Sequence, residues 1–149
     1  MTLLRLRAAT PDDLDDVVAL KARVLRQDLE RLVGWDSSRS RARVIEHFSP
    51  EHTRMILVGD GLAGTITLRP DGEDLWLEMF YVDAAFQGRG IGTSVLTEVL
   101  RESDRPMRLQ VLVGSAAQRL YSRHGFVVEA DDGIDVWMRR PLSRDSVDA

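Results

Sequence analysis

Residues 87–92 read Gln-Gly-Arg-Gly-Ile-Gly, three glycines at alternate positions around an arginine, directly ahead of a run with helical apolar spacing. Glycine removes the side chain and permits backbone conformations that other residues avoid. Bare backbone at a strand-to-helix turn lets N–H groups at the positive end of a helix dipole approach an anion. The chemistry expected here is the binding of a phosphate or pyrophosphate. A tight turn that uses glycine only for packing is the plainer alternative. Two nucleotide-binding patterns fit less well. Dinucleotide folds carry G-x-G-x-x-G after the first strand, whereas here G-x-G-x-G follows the fourth expected strand. The phosphate loop of an NTPase needs Gly-Lys-Ser/Thr, and no lysine follows these glycines.

Other reactive side chains are sparse. His47, His52 and His124 can exchange protons near neutral pH, but none has a partner at metal-ligand spacing, so no metal site is expected. His124, before Gly125, reads as a helix-end surface residue, and His47 and His52 flank Pro50. The chain has no cysteine, which excludes disulfides, thiolate metal sites and a cysteine nucleophile. A net charge of -4 over 149 residues argues against nucleic acid as a partner. The basic run Ser-Ser-Arg-Ser-Arg-Ala-Arg at 37–43 reads as a solvated helix start. Arg5 and Arg7 interrupt the first apolar stretch, so it is no signal peptide, and no apolar run approaches a membrane span. A soluble, cytoplasmic protein with no membrane partner is expected.

The elements that must position these groups follow from periodicity. Leu3–Ala9 alternates as a first strand. Thr10 as N-cap, Pro11 at the first helical position, and Asp12 and Asp13 then open a helix that carries Leu14, Val17, Val18, Leu25, Leu29 and Leu32 and stops at Gly34. A second helix is expected over Ser38–Phe48. Residues 54–83 give three strands separated by Gly-Asp-Gly and Pro-Asp-Gly-Glu-Asp turns. After the glycine loop comes a helix with Ile91, Val95, Leu96, Val99 and Leu100 on one face. Met107–Val113 is a buried strand, Ser115–His124 a short helix, and Phe126–Ala130 and Asp135–Arg140 the last two strands. The order β-α-α-β-β-β-α-β-α-β-β predicts an α/β fold in one domain, residues 1–141, with a frayed tail at 142–149.

These residues carry a family resemblance. Gln87, Gly90 and Gly92 fit the Q/R-x-x-G-x-G/A signature of the GNAT-type N-acetyltransferases, and Leu120–Phe126 supplies Leu-Tyr-x-x-x-Gly-Phe at the family's separation. The chain resembles that family from the first strand to the seventh. The resemblance implies a mixed, mostly antiparallel sheet of about seven strands with four helices, splayed between strands 4 and 5. It implies acetyl-CoA as co-substrate, its pyrophosphate held by the backbone of Gln87, Gly88, Arg89, Gly90, Ile91 and Gly92, with Arg89 and Thr93 assisting. Backbone groups of Phe80 and Val82 would pair with the pantetheine arm. The family often has an asparagine before its fourth helix; here Ser115 stands in its place, able to hydrogen-bond but a weaker sign of cofactor contact.

The reaction implied is acetyl transfer from the thioester to a primary amine of a small molecule or peptide by direct attack. It needs a neutral amine, a stabilised oxyanion and a proton for the leaving thiolate. Tyr121 falls at the family's general-acid position; its alternative is a tyrosine packing the last helix on the sheet. Glu78 shares side-chain parity with Phe80 and Val82, which makes it a candidate base, or else an exposed strand carboxylate. The acceptor wall in such folds comes from the first two helices and their connection, where Trp35 is either a lid or a core plug and Asp28, Glu30 and Asp36 would suit a cationic amine. Small members of the family often pair, so a homodimer is among the expectations. A non-catalytic acyl-CoA-binding or regulatory domain is the rival reading; a nucleotide-dependent oxidoreductase is disfavoured by the loop spacing.

Overall fold

The computed structural model describes residues 4–142, so residues 143–149 of the expected tail lie outside the described residues. Seven strands form one sheet in the order β1-β2-β3-β4-β5-β7-β6. They are β1 (Leu4–Ala8), β2 (Thr53–Val58), β3 (Gly61–Asp71), β4 (Asp74–Val82), β5 (Met107–Leu112), β6 (Val127–Asp131) and β7 (Asp135–Arg140). The helices are α1 (Leu14–Leu32), α2 (Ser37–His47), α3 (Ile91–Glu102) and α4 (Ala116–Arg123). Three 3-10 turns, Pro11–Asp13, Pro50–His52 and Ala84–Phe86, were not foreseen from the sequence. The expected α/β class and element order hold. β4 and β5 run parallel but pair only at Leu75–Met107, Trp76–Arg108 and Leu77–Leu109, although β4 continues to Val82 and β5 to Leu112. The expected parting of strands 4 and 5 is thus a ladder that stops after three pairs.

The chain groups into two compact units. The first runs to Leu68 and includes Met79–Gly92. Its core joins Ala9, Val17, Val44 and Met55, with Leu14, Val18, Phe48, Leu62 and Met79 packed against them. The apolar stripe of α1 is buried at Val17 and Leu20, but Leu25, Leu29 and Leu32 are only half-buried. Gly34, at φ 98°, ends this helix in the left-handed conformation, and its N–H reaches the Leu29 carbonyl at 2.7 Å. α2 starts where the Asp36 side chain accepts from the Arg39 N–H at 3.0 Å.

β3 and the last turn of β4 meet unusually closely in this unit. Met79 takes φ 45°, a left-handed conformation rare for a side chain that long. The Thr65 hydroxyl donates to the Met79 carbonyl at 2.7 Å, and the Asp83 N–H to the Ala63 carbonyl at 2.7 Å. A Cβ at Gly64 would collide with the carbonyl oxygen of Tyr81. Only glycine leaves the backbone room to pass.

The second unit comprises Arg69–Glu78 and the chain from Thr93 onward. β5 pairs with β7 along its whole length, and β7 with β6. Leu77, Val95, Leu96, Val99, Met107, Leu109, Val136 and Met138 are each buried to within 3% of full. β6 comes last in the strand order, and all its residues are exposed, including Val127 and Val128.

The first helix is anchored by charge. Arg7 of β1 grips both Asp13 oxygens at 2.9 Å, and the Thr10 N–H donates to Asp13 Oδ2 at 2.8 Å. These bonds, chiefly the one from Arg7, hold the Asp13 carboxyl below its ordinary range against the opposing effect of burial. A depressed folded-state pKa stabilises above the unfolded value and ceases to do so as pH falls through the folded one. Asp13→Asn is therefore expected to cost about 2 kcal/mol at pH 7. Urea midpoints of the two proteins should converge as the pH drops below about 4.

Candidate active site

The glycine loop is built on a hub at Asp83. This residue ends β4, caps the turn Ala84–Phe86 by accepting from the Ala85 N–H at 3.3 Å, and forms an ion pair with Arg23 of α1 at 2.8 Å. Gln87 then turns back, its side-chain amide donating to the Val82 carbonyl at 2.8 Å. Gly88 and Gly90 sit at φ 79° and 75°. A Cβ on either would meet nothing within 4 Å, so backbone conformation and not crowding demands glycine there. Gly92 differs from both: it lies inside the first turn of α3. Arg89 is exposed and its guanidinium carbon stands 5.4 Å from the centre of the Phe86 ring. Ile91, buried, is the first residue of α3, whose leading N–H groups have no intrahelical acceptor.

Phe80 and Val82 are half-buried, and the Val82 carbonyl is already engaged by Gln87. The parity argument that aligned Glu78 with them assumed a regular strand. Met79, between Glu78 and Phe80, takes a positive φ, so β4 is not regular at that point.

Five other expected residues belong to the second unit. Thr93 is exposed on α3. Glu78 is not an isolated strand carboxylate: Arg69 reaches its two oxygens at 2.7 to 3.3 Å. The hydrogen bond to Glu78 is the main reason the Arg69 guanidinium is raised above its usual range. Ser115 is buried and serves as the N-cap of α4, its Oγ accepting from the Gln118 N–H at 3.2 Å. Tyr121 is 5% exposed, with its ring 5.6 Å from that of Phe126 and tilted by 59°. His124 orients Nδ1 onto the Leu120 carbonyl at 2.9 Å.

The remaining candidates are plainer. The His47 ring is exposed beside Glu46, and His52 Nδ1 lies 2.8 Å from the Ser49 hydroxyl. Trp35 is half-buried with its indole N–H on Ser37 Oγ at 3.1 Å, which rules out a core plug. Asp28 and Glu30 pair with Arg31 and Arg26 on their own helix, and Asp36 is spent as a cap. Among the described residues no three His, Cys, Asp or Glu side chains form a metal-binding group, and no helix is long and apolar enough to cross a membrane. Arg69 was missed as the partner of Glu78. Once the hairpin turn is placed at Gly72, residues 69, 71, 74, 76 and 78 alternate onto one face, and that register was readable in advance.

Comparison with known proteins matches this arrangement. The profile of the family described as acetyltransferase (GNAT) domain matches residues 50–128, more than half of the chain. Among solved structures, the chain is similar to the PaiA N-acetyltransferase of Thermoplasma acidophilum in complex with coenzyme A, with a TM-score of 0.74 and 18% identity over 93% of this chain and 99% of that one. An acetyltransferase of Thermus thermophilus gives 0.72 and 20% identity over 93% and 97%. The ribosomal-protein-S18-alanine N-acetyltransferase of Escherichia coli gives 0.68 and 17% identity over 95% of each chain. At such identities these likenesses speak for the fold alone. No curated protein sequence matches the chain.

Alanine at Gly88 or Gly90 places a Cβ on a left-handed backbone, at a cost of about 1–2 kcal/mol each. Each variant should lose roughly 2–8 °C in a thermal melt, and unchanged melting would mean that the loop relaxes freely. With its seven-stranded mixed sheet, its parallel β4 and β5 and a profile match from residue 50 to residue 128, the chain belongs to the GNAT family of acetyltransferases.

Proposed function

We propose that the protein transfers an acetyl group from acetyl-CoA to a primary amine of a small molecule or peptide. The observation that carries the reading is the loop at Gly88–Gly90: two left-handed glycines with open space where side chains would stand, leading into the N-terminus of α3. Such a turn suits a diphosphate, because N–H groups converge on it at the positive end of the helix dipole. The backbone of Gln87, Gly88, Arg89, Gly90, Ile91 and Gly92 is assigned to the CoA pyrophosphate, with Arg89 and Thr93 as flanking donors. Phe80 and Val82 are assigned to the pantetheine arm. The Val82 carbonyl already accepts from the Gln87 amide and keeps its second lone pair for the arm. Ser115 keeps a hydroxyl proton to donate while it caps α4.

In the reaction the neutral amine attacks the thioester carbonyl. A C–N bond forms, the C–S bond breaks, and the thiolate leaves with a proton. Tyr121 is assigned as the donor of that proton; a phenol of ordinary pKa about 10 is protonated at neutral pH, hydrogen-bonds the departing sulfur, passes its proton to it and regains one from solvent. The proton lost by the nitrogen passes to Glu78, directly or through water. Both Glu78 oxygens are engaged by the Arg69 guanidinium, so an incoming amine or water has to compete with that contact. That same feature favours the second reading, a domain that binds acyl-CoA without turnover.

Thermal stability with acetyl-CoA, and with NADH and ATP as controls, tests the ligand. At about 100 times the dissociation constant a ligand adds about 2.7 kcal/mol of stability. A rise with acetyl-CoA alone is expected; a rise only with a control would end the assignment. Tyr121→Phe should then lower thiol release across an amine panel by about 100-fold or more while sparing acetyl-CoA binding. Equal rates would remove Tyr121 from the mechanism. Binding without thiol release from any amine would favour the non-catalytic reading.

A further inference from the structure

A concavity of about 570 Å³ opens in the second unit, lined by Leu100, Arg101, Ser103, Arg123, His124 and Arg140 among others. Its size is that of a small-molecule site. Among the described residues, every charged side chain in its wall is cationic, in a chain whose net charge is -4. Arginines in the last turns of α3 and α4 have an ordinary explanation, since cations there complement the helix dipole. That explanation does not reach Arg140, which ends a strand, nor the presence of three arginines around one hollow.

The local bonds leave these cations available. Arg140 is anchored by Nε, which donates to the His124 carbonyl at 2.9 Å, and among the described residues its terminal nitrogens have no ion pair. The Arg123 side chain, exposed at the end of α4, forms no ion pair or hydrogen bond among the described residues. Among the described residues Arg101 pairs only with Glu98, at 3.6 Å and on the exposed helix surface, a pairing of little strength. The Leu120 carbonyl can only accept, so His124 Nδ1 carries the hydrogen and Nε2 is the nitrogen left to gain a proton. Like charges held together repel, and an anion with several oxygens relieves that repulsion while accepting forked hydrogen bonds.

We propose that this concavity binds a phosphate-bearing small molecule, with Arg101, Arg123 and Arg140 on the phosphate and Leu100 and Ser103 beside the remainder of the ligand. The proposal is independent of the acetyl-CoA assignment, because it uses none of the residues assigned to it. Its test is an NMR titration of the full chain with inorganic phosphate, ribose 5-phosphate and citrate at constant ionic strength in chloride. Amide shifts at Arg101, Ser103, Arg123 and His124 are expected with phosphate, and saturation at lower concentration with ribose 5-phosphate. Arg123→Glu should weaken that binding at least about tenfold. Arg123→Gln should weaken it less and guards against misfolding of the charge-reversed variant. Shifts confined to residues 87–93 would overturn the proposal, as would equal affinity in both variants. A response to citrate alone would overturn it as well.

Discussion

The left-handed backbone at Met79 is the constraint on which the middle of the fold depends. A residue with a long side chain holds such a conformation only where its surroundings insist on it, at a cost of about 1–3 kcal/mol. Here the insistence is visible. Thr65 binds the Met79 carbonyl, the Met79 side chain packs on the first core, and Gly64 lets the Tyr81 carbonyl come close enough to forbid any side chain. β4 stops pairing with β5 two residues earlier, at Leu77. A regular β4 would have no reason to end its ladder there, and Glu78, Phe80 and Val82 would alternate as one series.

Downstream of that irregularity, one carboxylate organises the approach to the glycines. Asp83 takes a backbone amide, caps a 3-10 turn and holds Arg23 of the first helix, so the loop inherits its position from three directions. The flexible glycines are therefore flanked by a fixed entry and by a helix start. This is the usual way to combine local freedom with a defined site.

Much of this was legible in the chain. Period-two and helical spacing located the seven strands and four helices to within a few residues, because each buries an apolar face that its sequence displays. Gly88 and Gly90 were legible as loop glycines, and their positive φ gives the physical reason. Gly92 was read with them by spacing alone, although it is a helical residue. The irregularities escaped notice for a common reason: the left-handed backbone at Met79 and the close pass at Gly64 depend on strand neighbours distant in sequence. No local pattern announces them. The cationic hollow escaped in the same way, since Arg101, Arg123 and Arg140 are each ordinary in their own segments.

β6 has a consequence of another kind. A terminal strand with exposed Val127 and Val128 is a template on which further strands of any origin could stack. Within its five residues it also carries Glu129 and Asp131, so an approaching edge of like composition meets two negative charges beside the valines. That guard is electrostatic and therefore short-ranged in salt, fading as the Debye length shrinks to about 3 Å near 1 M. Glu129 already lies 3.7 Å from Arg108, so Asp131 carries most of that guard, and concentrated brine is the environment least kind to it.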